Sequence, residues 1–213
     1  MENYEKWWTN NLGNQTYLHN GKQIRAPSVS SFQSWMGDPL SKDRIMVRTA
    51  FGDFDSLLDA GCGACPEYFG LQKLGLHEKY TGIDITPKLV EYNKSRNISC
   101  SEGSLNNIPF EDNKFDIVHS RHVVEHMSNI EKPLSEMIRV AKKRVYVSFF
   151  ILPTLQPQHI VKLDNAGTNG ELYHNSYSKQ KIEEELSKNE KFKNCQWLGL
   201  PRPSVCLLLI NLK

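Results

Sequence analysis

The sequence predicts an α/β fold: a seven-stranded, mostly parallel sheet between two layers of helices, with an antiparallel last strand. Strand-like and helix-like segments alternate from residue 55 onward, which is typical of a parallel sheet covered on both faces. The turn Gly-Leu-Pro-Arg-Pro joins the last two apolar segments and indicates antiparallel neighbours. The predicted strands cover residues 56–59, 80–84, 98–102, 115–119, 144–149, 192–198 and 205–211.

We expect a helical cap before this core. A helix is predicted from Asp38-Pro39 onward, with Gly52 ending it. Tyr4, Trp7 and Trp8 share one face of a second, short helix, which could pack on the core, cover a substrate or form a homodimer contact; packing is favoured. The sequence thus predicts one domain over residues 1–213, with a helical cap at 1–52 and the core at 53–213.

Two later helices are marked by caps and apolar stripes. Ser128 and Glu131 have the spacing of a capping box, and an apolar stripe at helical spacing follows them. Ser178 precedes a second helix, whose inward face carries Ile182 and Leu186. We expect both helices to pack against the core and to have no catalytic role.

Composition limits the class of protein. The 213 residues suffice for one domain with its own core. With 26 basic and 24 acidic residues, the net charge of +2 is too small to favour a nucleic-acid partner. No apolar run approaches the roughly 18 residues of a membrane span, so no membrane association and a cytoplasmic location are expected. The odd number of cysteines, five, fits a reducing compartment.

Residues 56–70, SLLDAGCGACPEYFG, form the most informative segment. Gly61 and Gly63 allow backbone conformations closed to other residues, and the helix that follows offers free amide groups to a nucleotide-like ligand. Pro66 occupies the position of the third small residue of a dinucleotide fingerprint, which disfavours a nicotinamide or flavin. Cys62 and Cys65 form a Cys-x-x-Cys without a second pair, so packing is favoured over metal or redox chemistry.

Leu58 to Gly63 resemble motif I of the class I S-adenosylmethionine (SAM)-dependent methyltransferases. Asp84 ends the next strand 21 residues after Gly63, and residues 98–127 resemble the family's later motifs. The resemblance implies a Rossmann-like three-layer sandwich and SAM as the cofactor. Ser104 stands where the family often has an aspartate for the adenine. The implied cofactor contacts come from Asp59, Ala60, Gly61, Gly63, Asp84, Ile85, Gly103, Ser104, Leu105 and Ser120.

His122 and His126 are the candidate catalytic residues, since histidine is the side chain best tuned to accept a proton from an oxygen acceptor near neutral pH. If their segment is helical, both share a face with Glu125. This face resembles the Glu-x-x-Glu-His metal triad of some O-methyltransferases, with His122 replacing the first glutamate. Because that ligand differs and no fourth is identifiable, no metal site is predicted.

The connection over residues 150–177 is expected to close over the acceptor, with His159, His174 and Tyr177 near it. The favoured function is SAM-dependent methylation of a small-molecule substrate at an oxygen of a sugar-like or phenolic compound. Two alternatives stay open: a metal-assisted RNA 2′-O-methyltransferase and a catalytically inactive SAM-binding partner subunit.

Overall fold

The computed structural model describes residues 16–19, 22–25, 28–29, 36–165, 171–201 and 205–213. The strands are β1 (Thr16–His19), β2 (Lys22–Arg25), β3 (Leu57–Ala60), β4 (Tyr80–Asp84), β5 (Cys100–Glu102), β6 (Phe115–Arg121), β7 (Ala141–Phe149), β8 (Leu163–Asn165), β9 (Glu171–Tyr173), β10 (Phe192–Gly199) and β11 (Cys206–Leu212). The α-helices are α1 (Lys42–Phe51), α2 (Pro66–Gln72), α3 (Pro87–Lys94), α4 (Glu131–Val140) and α5 (Lys179–Ser187). Among the described residues, 3₁₀ turns cover His77–Lys79 and Val124–His126.

The central sheet has the order β10-β11-β7-β6-β3-β4-β5. Its pairs from β7 to β5 are parallel, while β11 is antiparallel to both of its neighbours. All seven predicted strands are present, and the prediction of a mostly parallel sheet with an antiparallel last strand is confirmed. From β3 the chain builds one half of the sheet through β4 and β5, then returns to build the other half from β6. The crevice where ligands bind in such sheets therefore opens at the carboxyl ends of β3 and β6.

Helices cover both faces of this sheet and bury two apolar clusters. On one face α4 and α5 contribute Leu134, Met137, Ile182 and Leu186. On the other face α1, α2 and α3 contribute Val47, Phe51, Leu71 and Val90. The fold is therefore the three-layer sandwich that the sequence predicts.

The amino-terminal region differs from the expected helical cap. Strands β1 and β2 form an antiparallel hairpin, so residues 1–52 are not wholly helical. Helix α1 begins at Lys42 and not at Asp38, because Asp38 closes a turn through bonds from the Leu40 and Ser41 amides. The aromatic face of Tyr4, Trp7 and Trp8 lies outside the described residues.

The two predicted caps have different outcomes. The Ser178 hydroxyl accepts a hydrogen bond from the Lys181 amide and caps α5, as expected. Ser128 does not cap α4, which begins later, with the Glu131 carboxylate accepting from the Ile130 amide. Within the described part of the chain, every helix is too short or too polar to cross a bilayer. The cytoplasmic location and the homodimer stay predictions.

Candidate cofactor and acceptor site

The glycine turn after β3 is held by backbone hydrogen bonds to β4. Gly61 has a φ of +81°, and its amide and that of Cys62 donate to the Ile83 carbonyl at 2.8 and 2.9 Å. A Cβ at Gly61 would lie 2.5 Å from Cγ2 of Val123, so a side chain does not fit there without displacement. Gly63 also has a positive φ, of 55°. The backbone conformation therefore favours glycine at both positions, and a close approach to Val123 makes it necessary at Gly61.

Asp84 joins the tip of β4 to this turn. Its Oδ2 accepts from the Gly63 amide at 2.8 Å, and its Oδ1 accepts from the Thr86 amide at 2.9 Å. The residue is 7% exposed. Burial raises the pKa of Asp84 to about 6, although the amide donors act in the opposite direction. Each carboxylate oxygen keeps acceptor capacity for a further donor.

Asp59 lies in a different environment from the one we expected. Its Oδ2 accepts from the Tyr80 hydroxyl at 2.9 Å, and its Oδ1 lies 3.5 Å from Nδ1 of His119. Because the residue is only 3% exposed, its carboxylate contacts buried side chains beneath the turn. The Asp59 side chain, expected to contact the cofactor from the carboxyl end of its strand, is instead held by these two interior partners.

A buried ion-pair network fixes α1 against α2, below the same turn. Glu67 accepts from Arg44 at 2.5 Å and from Arg48 at 2.7 Å. Burial raises the pKa of Glu67, but the charges of Arg44, His119 and Arg48 outweigh burial and hold the pKa below its usual value. Arg121 at the end of β6 pairs with Asp43, whose pKa lies at about 2 because hydrogen bonds and the arginine charge overcome burial. The sequence analysis did not identify this network.

On the side where we expect the adenine, backbone groups are better placed than side chains to border a ligand. The Gly103 amide donates to the Asp84 carbonyl at 3.1 Å, and a Cβ at Gly103 would lie 2.9 Å from Cδ of Pro109. Ser104 uses its hydroxyl to accept from the Asn106 amide at 3.2 Å. Ile85 is half-buried directly after Asp84.

Three other expected cofactor residues are buried in the core. Ala60 and Leu105 pack in the apolar cluster beneath α4, so only their backbone groups could face a ligand. Ser120 is 0% exposed, and its hydroxyl has no hydrogen-bond partner among the described residues. These side chains are not available at the surface of the crevice.

The predicted helical face of His122, Glu125 and His126 does not form. His122 has a φ of +58°, and only Val124–His126 form a 3₁₀ turn. Glu125 turns into the interior, where its Oε1 accepts from the Phe150 amide at 2.6 Å. The ligand atoms of these three residues do not meet within 4.8 Å, so the metal triad that the sequence analysis considered is not assembled. The single helical face was therefore a wrong prediction.

Phe150 is the residue that brings the two histidines together. Its ring lies 5.3 Å from that of His122 and 5.3 Å from that of His126, and the ring of His174 lies 5.2 Å from His126. We call these four residues the histidine–phenylalanine cluster. It lies beyond the carboxyl ends of β6 and β7, next to the crevice. His174, which the sequence leads us to expect near the acceptor, joins this cluster, whereas no sequence pattern predicts Phe150.

Burial keeps both candidate bases neutral. It lowers the pKa of His126 to about 4, while the hydrogen bond of Nδ1 with the Tyr173 carbonyl, at 2.8 Å, acts in the opposite direction. Since a carbonyl only accepts, Nδ1 carries the proton and Nε2 the lone pair. Burial and the neighbouring Arg121 lower the pKa of His122 to about 2. His126 is therefore the stronger base of the two.

Glu125 supports the histidine–phenylalanine cluster from below. Burial raises the pKa of its carboxyl to about 7, and its Oε2 has no hydrogen-bond partner within the described ranges.

The Tyr177 hydroxyl donates to the Met127 carbonyl at 2.8 Å and the residue is 1% exposed. His159 accepts from the Ser178 amide at 2.9 Å. Tyr177 and His159, expected near the acceptor, thus hold the connection in place.

The sheet order and the glycine turn at its switch point define a Rossmann-like α/β protein with a nucleotide-type crevice. Residues 58–149 match a family model described as a methyltransferase domain. The match spans less than half of the chain, and residues 58–149 are thus similar to a methyltransferase domain.

The known proteins that are similar to this chain include enzymes whose names contain a small molecule. Demethylmenaquinone methyltransferase of Staphylococcus haemolyticus is 34% identical over 91 residues, which cover 40% of this chain and 38% of that enzyme. Ajmaline N-methyltransferase of Rauvolfia serpentina is 33% identical over 98 residues, or 40% of this chain and 32% of that enzyme. The chain thus spans less than half the length of either relative.

A solved structure extends the likeness over most of the chain. The 1,6-didemethyltoxoflavin-N1-methyltransferase of Burkholderia thailandensis, with 1,6-didemethyltoxoflavin and S-adenosylhomocysteine bound, superposes with a TM-score of 0.58. The match covers 87% of this chain and 85% of that one at 14% identity. At this identity the likeness concerns the fold.

Proposed function

We propose that this chain binds SAM and transfers its methyl group to a small-molecule acceptor. The observation that carries the proposal is the Asp84 carboxylate, which is buried at the tip of β4 and bonded to the Gly63 amide of the glycine turn. A ribose offers two hydroxyl donors, and such a carboxylate has acceptor capacity left for them. When bound, SAM supplies an activated methyl group on a sulfonium.

The other residues of the turn fit this ligand. With positive φ angles and no side chains, Gly61 and Gly63 let the backbone approach the methionine part of the cofactor closely. Ile85 follows Asp84 and is half-buried, which suits contact with an adenine ring. Gly103 and Ser104 would border the adenine through their backbone groups. Asp59 and Ser120 take part only through the main chain.

The histidine–phenylalanine cluster is the proposed acceptor side. His126 would accept a proton at Nε2, because its Nδ1 proton is held by the Tyr173 carbonyl. Because burial lowers the pKa of His126, this base helps a weakly acidic alcohol less than the more acidic hydroxyl of a phenol. Among the acceptors considered, a phenolic oxygen is therefore favoured over a sugar hydroxyl.

A binding assay tests the cofactor part of the proposal. S-adenosylhomocysteine at 100 times its dissociation constant should raise the melting temperature by roughly 5–11 °C, and NAD should not. Asp84→Ala should abolish this shift, whereas Asp53→Ala, at an exposed position, serves as the matched control. A shift with NAD alone would contradict the assignment.

A transfer assay tests the activity. With SAM labelled in its methyl group, we expect label in phenolic acceptors and loss of that label in Asp84→Ala. Tight binding without transfer to any acceptor in a broad panel would point to an inactive partner subunit. Transfer to RNA that stops when a chelator is added would point to a metal-assisted RNA enzyme.

A further inference from the structure

Three cysteines from separate segments meet behind the glycine turn. Cys62 lies between Gly61 and Gly63, Cys65 directly precedes α2, and Cys100 begins β5. Their sulfur atoms all lie within 4.8 Å of one another, with Cys62 and Cys100 only 3.5 Å apart. Their exposed fractions are 1%, 0% and 7%, so the cluster is buried. We call it the three-cysteine cluster.

The fold makes the space for these sulfurs at Gly82. This residue of β4 pairs with Cys100 of β5, and a Cβ on it would lie 2.8 Å from the Cys62 sulfur. Any larger residue at position 82 would push Cys62 away. The Cys-x-x-Cys of the turn thus gains its third member from a strand that is distant in sequence.

The spacing suits a metal ion. Zinc–sulfur bonds of about 2.3 Å place tetrahedral ligand sulfurs about 3.8 Å apart. The observed separations, from 3.5 Å to within 4.8 Å, bracket that value. Thiolates are the ligands that soft cations such as Zn²⁺ and Cu⁺ prefer.

The surroundings of the cluster are polar at one point. The Cys62 and Cys100 sulfurs lie within hydrogen-bond distance of each other, at 3.5 Å. The Asn93 side-chain amide adds a donor 3.7 Å from the Cys100 sulfur, and it also donates to the Gly63 carbonyl at 2.7 Å. Three thiols gathered around one point form an arrangement that a cation would complete by displacing thiol protons.

We propose that Cys62, Cys65 and Cys100 form a binding site for one soft, thiophilic cation. The ion would tie the glycine turn, the start of α2 and β5 together at a single point. The site lies behind the turn, among buried apolar residues, and it is separate from the proposed methyl-transfer chemistry.

The test is a titration of the reduced, metal-free protein with Cd²⁺ under anaerobic conditions. We expect one Cd²⁺ per chain, a sulfur-to-cadmium charge-transfer absorption, and release of thiol protons as the ion binds. Competition by Zn²⁺ or by Cu⁺ tells which ion the site prefers. At free Cd²⁺ 100 times the dissociation constant, the melting temperature should rise by roughly 5–11 °C.

Two variants make the test specific. Cys100→Ser should lose the absorption, while Cys206→Ser, a buried cysteine of β11 outside the cluster, should keep it. Absence of the absorption in the folded wild type, its persistence in Cys100→Ser, or its loss in both variants would each overturn the proposal.

Alkylation of the wild type keeps the proposal testable if Cys100→Ser does not fold. Bound Cd²⁺ should slow the alkylation of Cys62, Cys65 and Cys100 relative to the metal-free protein, and should leave the alkylation rates of Cys195 and Cys206 unchanged. Protection of the latter pair instead would overturn the proposal. So would a protein that forms a Cys62–Cys100 disulfide and, once reduced, binds no Cd²⁺, since that result assigns the cluster to redox chemistry.

Discussion

The two halves of the crevice are built in different ways. On the donor side, at the ends of β3 and β4, position is fixed by backbone geometry: glycine φ angles, amide donors and one carboxylate. On the acceptor side, at the ends of β6 and β7, position is fixed by side chains that meet from three segments of the chain. The geometry of the proposed donor side is therefore specified locally, whereas that of the proposed acceptor side depends on tertiary packing.

On the donor side, we expect the largest loss of stability and cofactor binding when a single methyl group is added at Gly61. Gly61→Ala adds a Cβ 2.5 Å from Val123 at a φ of +81°, and we expect a loss of about 2–4 kcal/mol of stability together with loss of S-adenosylhomocysteine binding. Gly75→Ala is the matched control, since Gly75 has a φ of +71° and nothing within 4 Å of the added Cβ. It should lose about 1–2 kcal/mol and bind normally. Urea unfolding and calorimetry measure both effects; equal losses in the two variants would refute the close-approach argument.

The acceptor side should respond most strongly at His126. His126→Ala should lower kcat by about 100-fold or more while S-adenosylhomocysteine binds as in the wild type, since it removes the better base and leaves the donor side intact. His122→Ala should cost less, because burial and Arg121 make His122 the weaker base. Steady-state kinetics with a methylated phenol as product measure this; a weaker cofactor affinity in His126→Ala would contradict the separation of the two sides.

Glu125 gives a pH test of the support beneath the acceptor side. Its folded-state pKa of about 7 lies above the ordinary 4.5, so its contribution to stability is fully present below pH 4.5 and is lost as pH rises through 7. Glu125→Gln should flatten that part of the stability curve, whereas Glu125→Ala should lose about 2–4 kcal/mol by leaving the Phe150 amide unpaired. Urea unfolding between pH 4 and 8 checks it. Glu131→Gln, on the surface end of α4, is the control, and a curve unchanged in Glu125→Gln would reject the assignment.

The sequence predicts the strands and the glycine turn well because their signals are local. The glycines, Asp84 and all seven strands follow from apolar runs, turn residues and fixed spacings. It fails for Asp59, whose side-chain direction depends on Tyr80 and His119 from neighbouring strands. Spacing along a hypothetical helix could not foresee the positive φ of His122.

The remaining features are missed because they join distant segments. Phe150 contacts His126, and Glu67 pairs with arginines of α1, without any pattern in the sequence that links them. Cys100 completes the three-cysteine cluster from β5, so a search for a second Cys-x-x-Cys could not find it. Such contacts depend on the order of strands in the sheet, which local periodicity does not contain.

We propose that Asp84 holds the ribose of a SAM-type cofactor against the glycine turn. Its folded-state pKa of about 6 is raised, so ionised Asp84 destabilises the free protein as pH rises toward 6, while its charge is what a ribose hydroxyl requires. Cofactor affinity and stability of the free protein should therefore change in opposite directions with pH.

Calorimetric titration of S-adenosylhomocysteine between pH 5 and 8 tests this most directly. The wild type should bind more tightly as pH rises through 6, with a change of up to about tenfold per pH unit below that value. Asp84→Asn should bind about 10–100-fold more weakly at pH 7 and lose this dependence, and Asp53→Asn should match the wild type. Wild-type affinity in Asp84→Asn would contradict the account.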